Sequence, residues 1–275
     1  MKSSIWTAMY AELSLPNALN VLNAHGWTTF EMSTEHFVEI ASADNPDDII
    51  ERTMACLESL ELAMPQGHAY LQARVADIDA ERRQRDIAVL RKHLDIADRL
   101  GVEVVVMHPG GDRAYTTRED WQRIVACNVE AFQQLGDYAG ERGIKIGLEN
   151  LNRRGAATPD DMWDLLTAID HPACGFTLDT SHAHLADLDI AAAIMEFSPR
   201  LFATHISDND HSGDQHLTPG GGQIDWIKVM TTFSETSYTG LFNLEIPGER
   251  HPVLQLRELK SRHALDVCNW LLSLV

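Results

Sequence analysis

The chain has 275 residues, of which 44% are hydrophobic and 23% charged, the make-up of a globular protein. Its formal net charge of -19 repels phosphate backbones and anionic lipid surfaces, so we expect neither nucleic acid nor a membrane as a partner. The four cysteines are widely spaced and no export signal or membrane-spanning apolar stretch is found, so we expect a cytoplasmic protein with reduced thiols.

Short apolar runs alternate with longer amphipathic segments along the whole chain, and these runs predict strands. The eight predicted strands lie at 4–9, 27–33, 60–66, 102–108, 144–150, 174–180, 200–207 and 240–246. Eight strands, each followed by a helix, over about 250 residues or a little more are typical of a barrel. We therefore predict an α/β fold with a single (β/α)8 TIM-barrel domain over residues 1–275. An open doubly wound sheet is the competing arrangement.

The connecting segments carry recognisable helix starts and ends. The clearest predicted helix lies within 79–101, where apolar residues largely follow the three-to-four spacing of one helix face. Gly101 and Gly143 stand where helices are expected to end. The sequence TPDD at 158–161 predicts a helix start with proline at the first helical position, and 251–274 predicts a last helix.

Potential metal ligands lie at or just after the carboxyl ends of the last six predicted strands. In chain order they are His68, His108, Glu149, Asp179, His182, His205, Asp214, His216 and Glu245. The loop HISDNDHSGDQHL at 205–217 is especially rich, with three histidines and three aspartates. Active sites of (β/α)8 barrels lie at the carboxyl ends of the strands, so the pattern predicts one shared site.

A metal explains this accumulation better than general polarity does. Each residue alone has a plainer interpretation as a loop residue, a helix cap or a satisfied polar group. Together at a barrel mouth they would be repulsive carboxylates and desolvated imidazoles unless a cation neutralised them. Nitrogen and oxygen donors without sulfur favour Zn or Mn over Mg or Ca, and nine candidates exceed the needs of one ion. We expect one to three divalent ions per chain.

The motifs HPGG, GLEN, LDTSHA, HISDND, DQHLTPGGG and LEI, in this order, resemble those of the xylose isomerase-like barrel superfamily. That superfamily includes sugar-phosphate isomerases and epimerases and the type IV apurinic endonucleases, and the resemblance covers essentially the whole chain. The epimerase branch implies one divalent ion held by Glu149, Asp179, His205 and Glu245, with both glutamates moving protons.

The endonuclease branch implies three zinc ions. By this resemblance the first would be held by His68, His108 and Glu149, the second by Glu149, Asp179, His205 and Glu245, and the third by His182, Asp214 and His216. The acidic charge and the compact loops leave little room for the DNA-reading insertions of those enzymes. The chain also departs from its relatives at 220–222, where GGG replaces a frequent Gly-Glu-Gly.

Three functions are compatible with these residues. The first is a metal-dependent isomerase or epimerase of a small sugar, sugar acid or sugar phosphate, in which Glu149 and Glu245 transfer protons through an enediolate; both can instead be ligands only. The second is a di- or trinuclear zinc hydrolase of a small phosphoester, in which the ions activate water. The third is an inactive metal-binding barrel.

Substrate-binding residues are less clearly marked. Arg113 and Arg154 lie on predicted loops at the ligand end of the barrel, where a guanidinium can bind phosphate or carboxylate, although a surface arginine is the plainer interpretation. His184 is a third candidate, with buried packing as its alternative. PGGG at 219–222 either cradles an anion with backbone N–H groups or forms a plain turn. The expected partner is a small carbohydrate, and a homo-oligomer is compatible with the sequence.

Overall fold

The computed structural model describes residues 1–111, 117–152, 158–248 and 253–275. Within these ranges eight strands are found. They are β1 Lys2–Trp6, β2 Thr29–Met32, β3 Ala63–His68, β4 Val104–Met107, β5 Lys145–Glu149, β6 Cys174–Asp179, β7 Leu201–His205 and β8 Leu241–Leu244. Each overlaps one of the eight predicted strands, which confirms the strand prediction.

The strands form one parallel sheet that closes on itself. Hydrogen-bonded neighbours follow the order β7-β6-β5-β4-β3-β2-β1-β8. The gap between β7 and β8 is bridged just beyond β7, where Ile206 N donates to Asn243 O at 2.8 Å and Glu245 N donates to Ile206 O at 3.1 Å. The fold is therefore a (β/α)8 barrel, and the competing open sheet is wrong.

Helices cover the outside of the barrel. In the described part of the chain they are α1 Leu15–Ala24, α2 Thr34–Ser42, α3 Pro46–Ser59, α4 Ala80–Leu100, α5 Arg118–Gly140, α6 Pro159–Ile169, α7 Thr180–Leu185, α8 Ile190–Phe197, α9 Trp226–Ser234 and α10 Leu254–Leu272. The side chain of Asp79 accepts the N–H groups of Glu81 and Arg82 and so caps α4, which ends at Gly101 with φ 71°. None of the described helices is long and apolar enough to cross a membrane.

The first strand is shorter than predicted. The apolar pattern extends to Met9, but β1 ends at Trp6 and the chain continues as a 3-10 helix over Thr7–Tyr10. Thr7 Oγ1 accepts the backbone N–H of Ser33 at 2.9 Å and lies 2.9 Å from His36 Nδ1. These contacts hold the chain at the barrel mouth, where no further strand pairing is available.

The apolar core lies between the sheet and the helices, while the barrel interior is polar. Gln66 on β3 donates to Thr204 O on β7 at 3.4 Å, and Glu31 on β2 contacts His205 on β7. These strands are not neighbours in the sheet, so both contacts pass through the interior. Polar side chains that require partners therefore fill the barrel up to the carboxyl ends of the strands, where the predicted ligands begin.

Candidate metal centre

Glu149, the last residue of β5, is the hub of the site and is 1% exposed. Its Oε2 atom lies 3.2 Å from His68 Nε2 and 3.1 Å from His108 Nε2. Its Oε1 atom lies 3.3 Å from both His182 Nδ1 and His205 Nδ1. One carboxylate thus contacts imidazoles from four different β-strand ends, as a bridging ligand between neighbouring ions would.

A second group surrounds the Oε1 side of Glu149. Ligand atoms of Glu149, Asp179, His205 and Glu245 all lie within 4.8 Å of one another. Asp179 ends β6 and caps α7, because its Oδ1 accepts the N–H of His182 at 2.7 Å. Glu245 directly follows β8, and its Oε2 atom lies 3.4 Å from His205 Nδ1. Three carboxylates and one imidazole therefore share one small buried volume.

A third group lies nearer the surface and consists of His182, Asp214 and His216. Asp214 Oδ2 lies 3.2 Å from His182 Nε2, and Asp214 Oδ1 lies 3.2 Å from His216 Nε2. His216 Nδ1 lies 3.6 Å from Glu245 Oε2, which joins this group to the second one. The Asp214 side chain is 36% exposed, so solvent reaches the site from this side.

Three atoms of the second group support a cation. His205 Nδ1, Asp179 Oδ2 and Glu245 Oε2 are buried and make no hydrogen bond within the described residues. A buried polar atom without a partner costs free energy, and native structures avoid it. Four ligands in a tetrahedral zinc site stand about 3.3 Å apart, close to the separations around Glu149. The donor set and its unpartnered atoms thus fit a divalent ion.

The groups shift one another's pKa values. Burial would raise the pKa of Glu149, but His205 and His108 outweigh it and hold that pKa well below the usual range. Burial raises the pKa of Asp179, and it raises the pKa of Glu245 to about 7. Burial lowers the pKa of His205, but Glu245 and Glu31 bring the net value well above the usual one. Mutual pKa shifts of this kind are expected where carboxylates and imidazoles are crowded into one buried volume.

Asp208 holds the loop that carries Asp214 and His216. Its carboxylate accepts N–H groups from Gly220 at 2.9 Å and Gly222 at 3.1 Å, and the indole N–H of Trp226 at 2.9 Å. Gly221 N donates to the backbone O of Thr218 at 2.9 Å. All three N–H groups of PGGG are thus occupied within the protein itself, so the interpretation of this turn as a substrate-anion cradle is wrong.

The same loop explains one of the glycines at 220–222. A Cβ atom at Gly222 would lie 2.3 Å from Asn209 O and 2.4 Å from Asp208 Oδ1. Gly222 is therefore required by the close approach of the backbone to Asp208.

The structure brings all nine predicted ligands together, and the groups they form include the three that the resemblance implied. Their role as ligands remains a prediction. His184 lies to one side: its Nδ1 is 2.7 Å from Asn209 Oδ1, its ring packs 4.0 Å from that of His211, and it lines a separate cavity of about 360 Å³. Arg113 and Arg154 lie outside the described residues, so a substrate role for these three stays a prediction.

Sequence reasoning missed one buried carboxylate. Glu31 on β2 is fully buried, and its Oε1 atom accepts a hydrogen bond from His205 Nε2 at 2.9 Å. The predicted ligands lie at the ends of strands three to eight, whereas Glu31 lies within the second strand. A glutamate inside the otherwise apolar and hydroxyl-bearing run WTTFEMS at 27–33 was the available signal.

Comparison with known proteins assigns the family. A family model described as xylose isomerase-like TIM barrel matches residues 19–271. The chain belongs to this family. The xylose isomerase-like resemblance inferred from the motifs is therefore confirmed.

Relatives of this xylose isomerase-like barrel include a dehydratase. The uncharacterized protein MJ1311 of Methanocaldococcus jannaschii is 26% identical over 271 residues, which cover 94% of this chain and 88% of that protein. The inosose dehydratase of Lacticaseibacillus casei is 24% identical over 212 residues, which cover 65% of this chain and 69% of that enzyme.

A solved structure shows the same fold. The crystal structure of a D-tagatose 3-epimerase-like protein superposes with a TM-score of 0.81, at 23% identity, covering 99% of this chain and 98% of that one. At this identity the likeness concerns the barrel architecture, and the chemistry must be argued from the side chains of this chain.

Proposed function

We propose that the protein is a divalent-metal-dependent isomerase or epimerase of a small sugar, sugar acid or sugar phosphate. The observation that carries the proposal is the buried group of Glu149, Asp179, His205 and Glu245, in which Glu149 Oε1 and Glu245 Oε2 lie 3.3 Å and 3.4 Å from His205 Nδ1. Relatives named as an epimerase-like protein and as an inosose dehydratase support a small carbohydrate substrate.

The four residues of this group would hold the ion. Their nitrogen and oxygen donors favour Zn or Mn. When bound, the ion polarises a ketone and its neighbouring hydroxyl, which acidifies the C–H bond between them. Because burial excludes most solvent from this part of the site, electrostatic interactions there are stronger than in water.

The two glutamates would move the proton. One takes it from the carbon beside the carbonyl, and the other returns it at the opposite face of that carbon, giving an epimer, or at the neighbouring carbon, giving an isomer. Glu245 is the freer of the two, because its Oε2 atom has no hydrogen-bond partner among the described residues while Glu149 contacts four imidazoles. We therefore assign the first proton transfer to Glu245.

The test is proton exchange in D₂O. Protein purified without chelators or a metal-binding tag is loaded with Mn or Zn and incubated with panels of ketoses, sugar acids and sugar phosphates. We expect deuterium at the carbon next to the carbonyl of at least one substrate, together with its epimer or isomer, detected by NMR. A metal-loaded protein that exchanges no substrate proton would contradict the proposal.

A second function, a di- or trinuclear zinc hydrolase of a small phosphoester, is favoured by one observation. His182, Asp214 and His216 form a third ligand group, and His68 with His108 complete a first one around Glu149. Such additional ions would activate water and clamp a phosphoryl group.

Metal content separates the two functions. Elemental mass spectrometry compares the wild type with a His182→Ala/His216→Ala double variant. We expect about one ion per chain, unchanged in the variant. Two or three zinc ions, decreasing in the variant and accompanied by turnover of small phosphoesters, would favour the hydrolase. Retained metal without turnover of either substrate class would leave the inactive metal-binding barrel.

A further inference from the structure

Glu31 lies beneath the second ligand group on the far side of His205. The imidazole of His205 contacts carboxylates through both ring nitrogens. Its Nδ1 faces Glu149 and Glu245, and its Nε2 lies 2.9 Å from Glu31 Oε1. Both His205 and Glu31 are fully buried. Glu31 thus contacts the ring nitrogen that points away from the ligand group.

A short chain of hydrogen bonds holds Glu31 in place. The side-chain amide of Asn243 on β8 donates from Nδ2 to Glu31 Oε2. Ser4 on β1 donates its hydroxyl proton to Asn243 Oδ1 at 2.9 Å. All of these residues are fully buried. Each oxygen of the Glu31 carboxylate therefore has its own donor, so the side chain has little freedom to turn.

This arrangement selects one form of the neutral imidazole. A carboxylate only accepts hydrogen bonds, so the Nε2 atom of His205 must carry a proton to make this contact. A neutral ring then carries its lone pair on Nδ1, the atom that faces Glu149 and Glu245 and that a bound cation would contact. Hydrogen-bonded carboxylates behind ligand histidines fix the ring orientation and increase the basicity of the ligand nitrogen.

We propose that Glu31 is a positioning residue of the metal centre, which holds His205 with Nε2 protonated and Nδ1 available to the ion. This inference rests on the proposed function, because it requires that a divalent ion binds to His205. It assigns no contact with substrate to Glu31. Its effect is exerted through the orientation and the electron density of the His205 ring.

Two substitutions separate charge from hydrogen bonding. In Glu31→Gln, the amide oxygen of the new side chain can still accept a hydrogen bond from His205 Nε2. If the Asn243 amide flips, its oxygen accepts from the NH₂ group of the glutamine, and its own NH₂ group donates to the Ser4 hydroxyl. This variant removes the charge with little change in volume. Glu31→Ala removes both the charge and the acceptor. Glu39→Gln is the matched control, because the Glu39 carboxylate accepts a hydrogen bond from the backbone N–H of Leu15 at 3.1 Å and belongs to none of the ligand groups.

The experiment measures zinc affinity by chelator competition and the protonation of His205 by ¹⁵N NMR of the zinc-loaded protein. We expect zinc affinity to fall about 10-fold in Glu31→Gln and towards 100-fold in Glu31→Ala, the range found for such outer partners. We expect the Glu39→Gln control to bind zinc like the wild type. The wild-type spectrum should show a slowly exchanging Nε2–H on His205 and a metal-bound Nδ1.

Two results would overturn the positioning role while leaving the metal centre intact. One is a zinc-loaded wild type whose His205 carries its proton on Nδ1, a result that needs no variant. The other is unchanged zinc affinity in both Glu31 variants, provided that thermal unfolding shows them folded. A wild type that takes up neither zinc nor manganese would instead refute the metal centre of the proposed function, and the positioning role with it.

Discussion

His182 Nε2 lies 3.2 Å from Asp214 Oδ2, a contact that joins α7 to the loop after β7. The other oxygen of the same carboxylate lies 3.2 Å from His216 Nε2. Burial alone would lower the pKa of His216, but its hydrogen bond with Asp214 and the charge of Glu245 outweigh burial and raise it to about 10. Asp214 therefore contacts two imidazoles and favours the protonated form of each, because its hydrogen bonds raise the pKa of both His182 and His216.

Replacing Asp214 by Asn should lower the pKa of His216 by at least about one unit. A histidine whose folded pKa is raised contributes stability fully below its unfolded pKa of about 6.5, and this contribution is lost as the pH rises through about 10. The check is an NMR titration of His216 in metal-free wild type and variant. Asp187→Asn is the control, because Asp187 Oδ1 lies 3.8 Å from His211 Nε2 and so belongs to a different Asp–His pair. An unchanged His216 pKa in Asp214→Asn would refute the assignment.

Glu245→Gln should retain bound metal yet slow proton exchange of the substrate by about 10²–10⁴-fold, the usual contribution of a general base. The amide keeps the shape of the side chain but cannot accept the carbon-bound proton. Deuterium uptake by NMR, with metal content measured on the same sample, checks this result. Glu235→Gln, at an exposed position after α9, is the control. Full exchange in Glu245→Gln with metal bound would show that Glu245 is only a ligand.

Gly222→Ala should destabilise the loop that carries Asp214 and His216. The new Cβ would lie 2.3 Å from Asn209 O, so backbone must shift, at a cost of roughly 1–3 kcal/mol. Urea unfolding monitored by circular dichroism measures the loss. Gly213→Ala in the same loop is the control, because no atom lies within 4 Å of a Cβ placed at Gly213. Equal stability of the two variants would contradict the packing argument.

His93 on α4 should make the metal-free protein less stable in mild acid. It is buried and stacked on Phe37 with ring centroids 4.9 Å apart, and burial lowers its pKa to about 4. Between pH 6.5 and 4 the unfolded chain binds the extra proton, so stability falls as the pH falls, by on the order of 3 kcal/mol in total from this group.

The pH dependence of this group can be isolated by substitution. In His93→Phe, the decrease in unfolding free energy between pH 6.5 and 4 should be smaller than in the wild type by about that amount. The exposed His263→Phe should leave the pH dependence as it is. If His93→Phe and the wild type lose stability in parallel, His93 is not the group that titrates.

Much of the barrel could be predicted from local patterns. All eight strands were located, because buried parallel strands are short apolar runs between amphipathic helices. The error in the first strand, which ends at Trp6 and not Met9, came from contacts of Thr7 with residues about 30 positions away. Such contacts leave no trace in local periodicity. The same applies to PGGG, where the N–H groups of Gly220 and Gly222 are taken by Asp208.

The sequence by itself determined which residues meet at the carboxyl end of the barrel, because parallel strands place all their carboxyl ends at one face. Only the tertiary structure decided their pairing. It placed Glu149 between four imidazoles, left His205 Nδ1 without a hydrogen bond in the described part of the chain, and put Glu31 behind His205. These relationships depend on strand stagger and side-chain rotamers across the barrel interior, and those are set by packing of the whole fold.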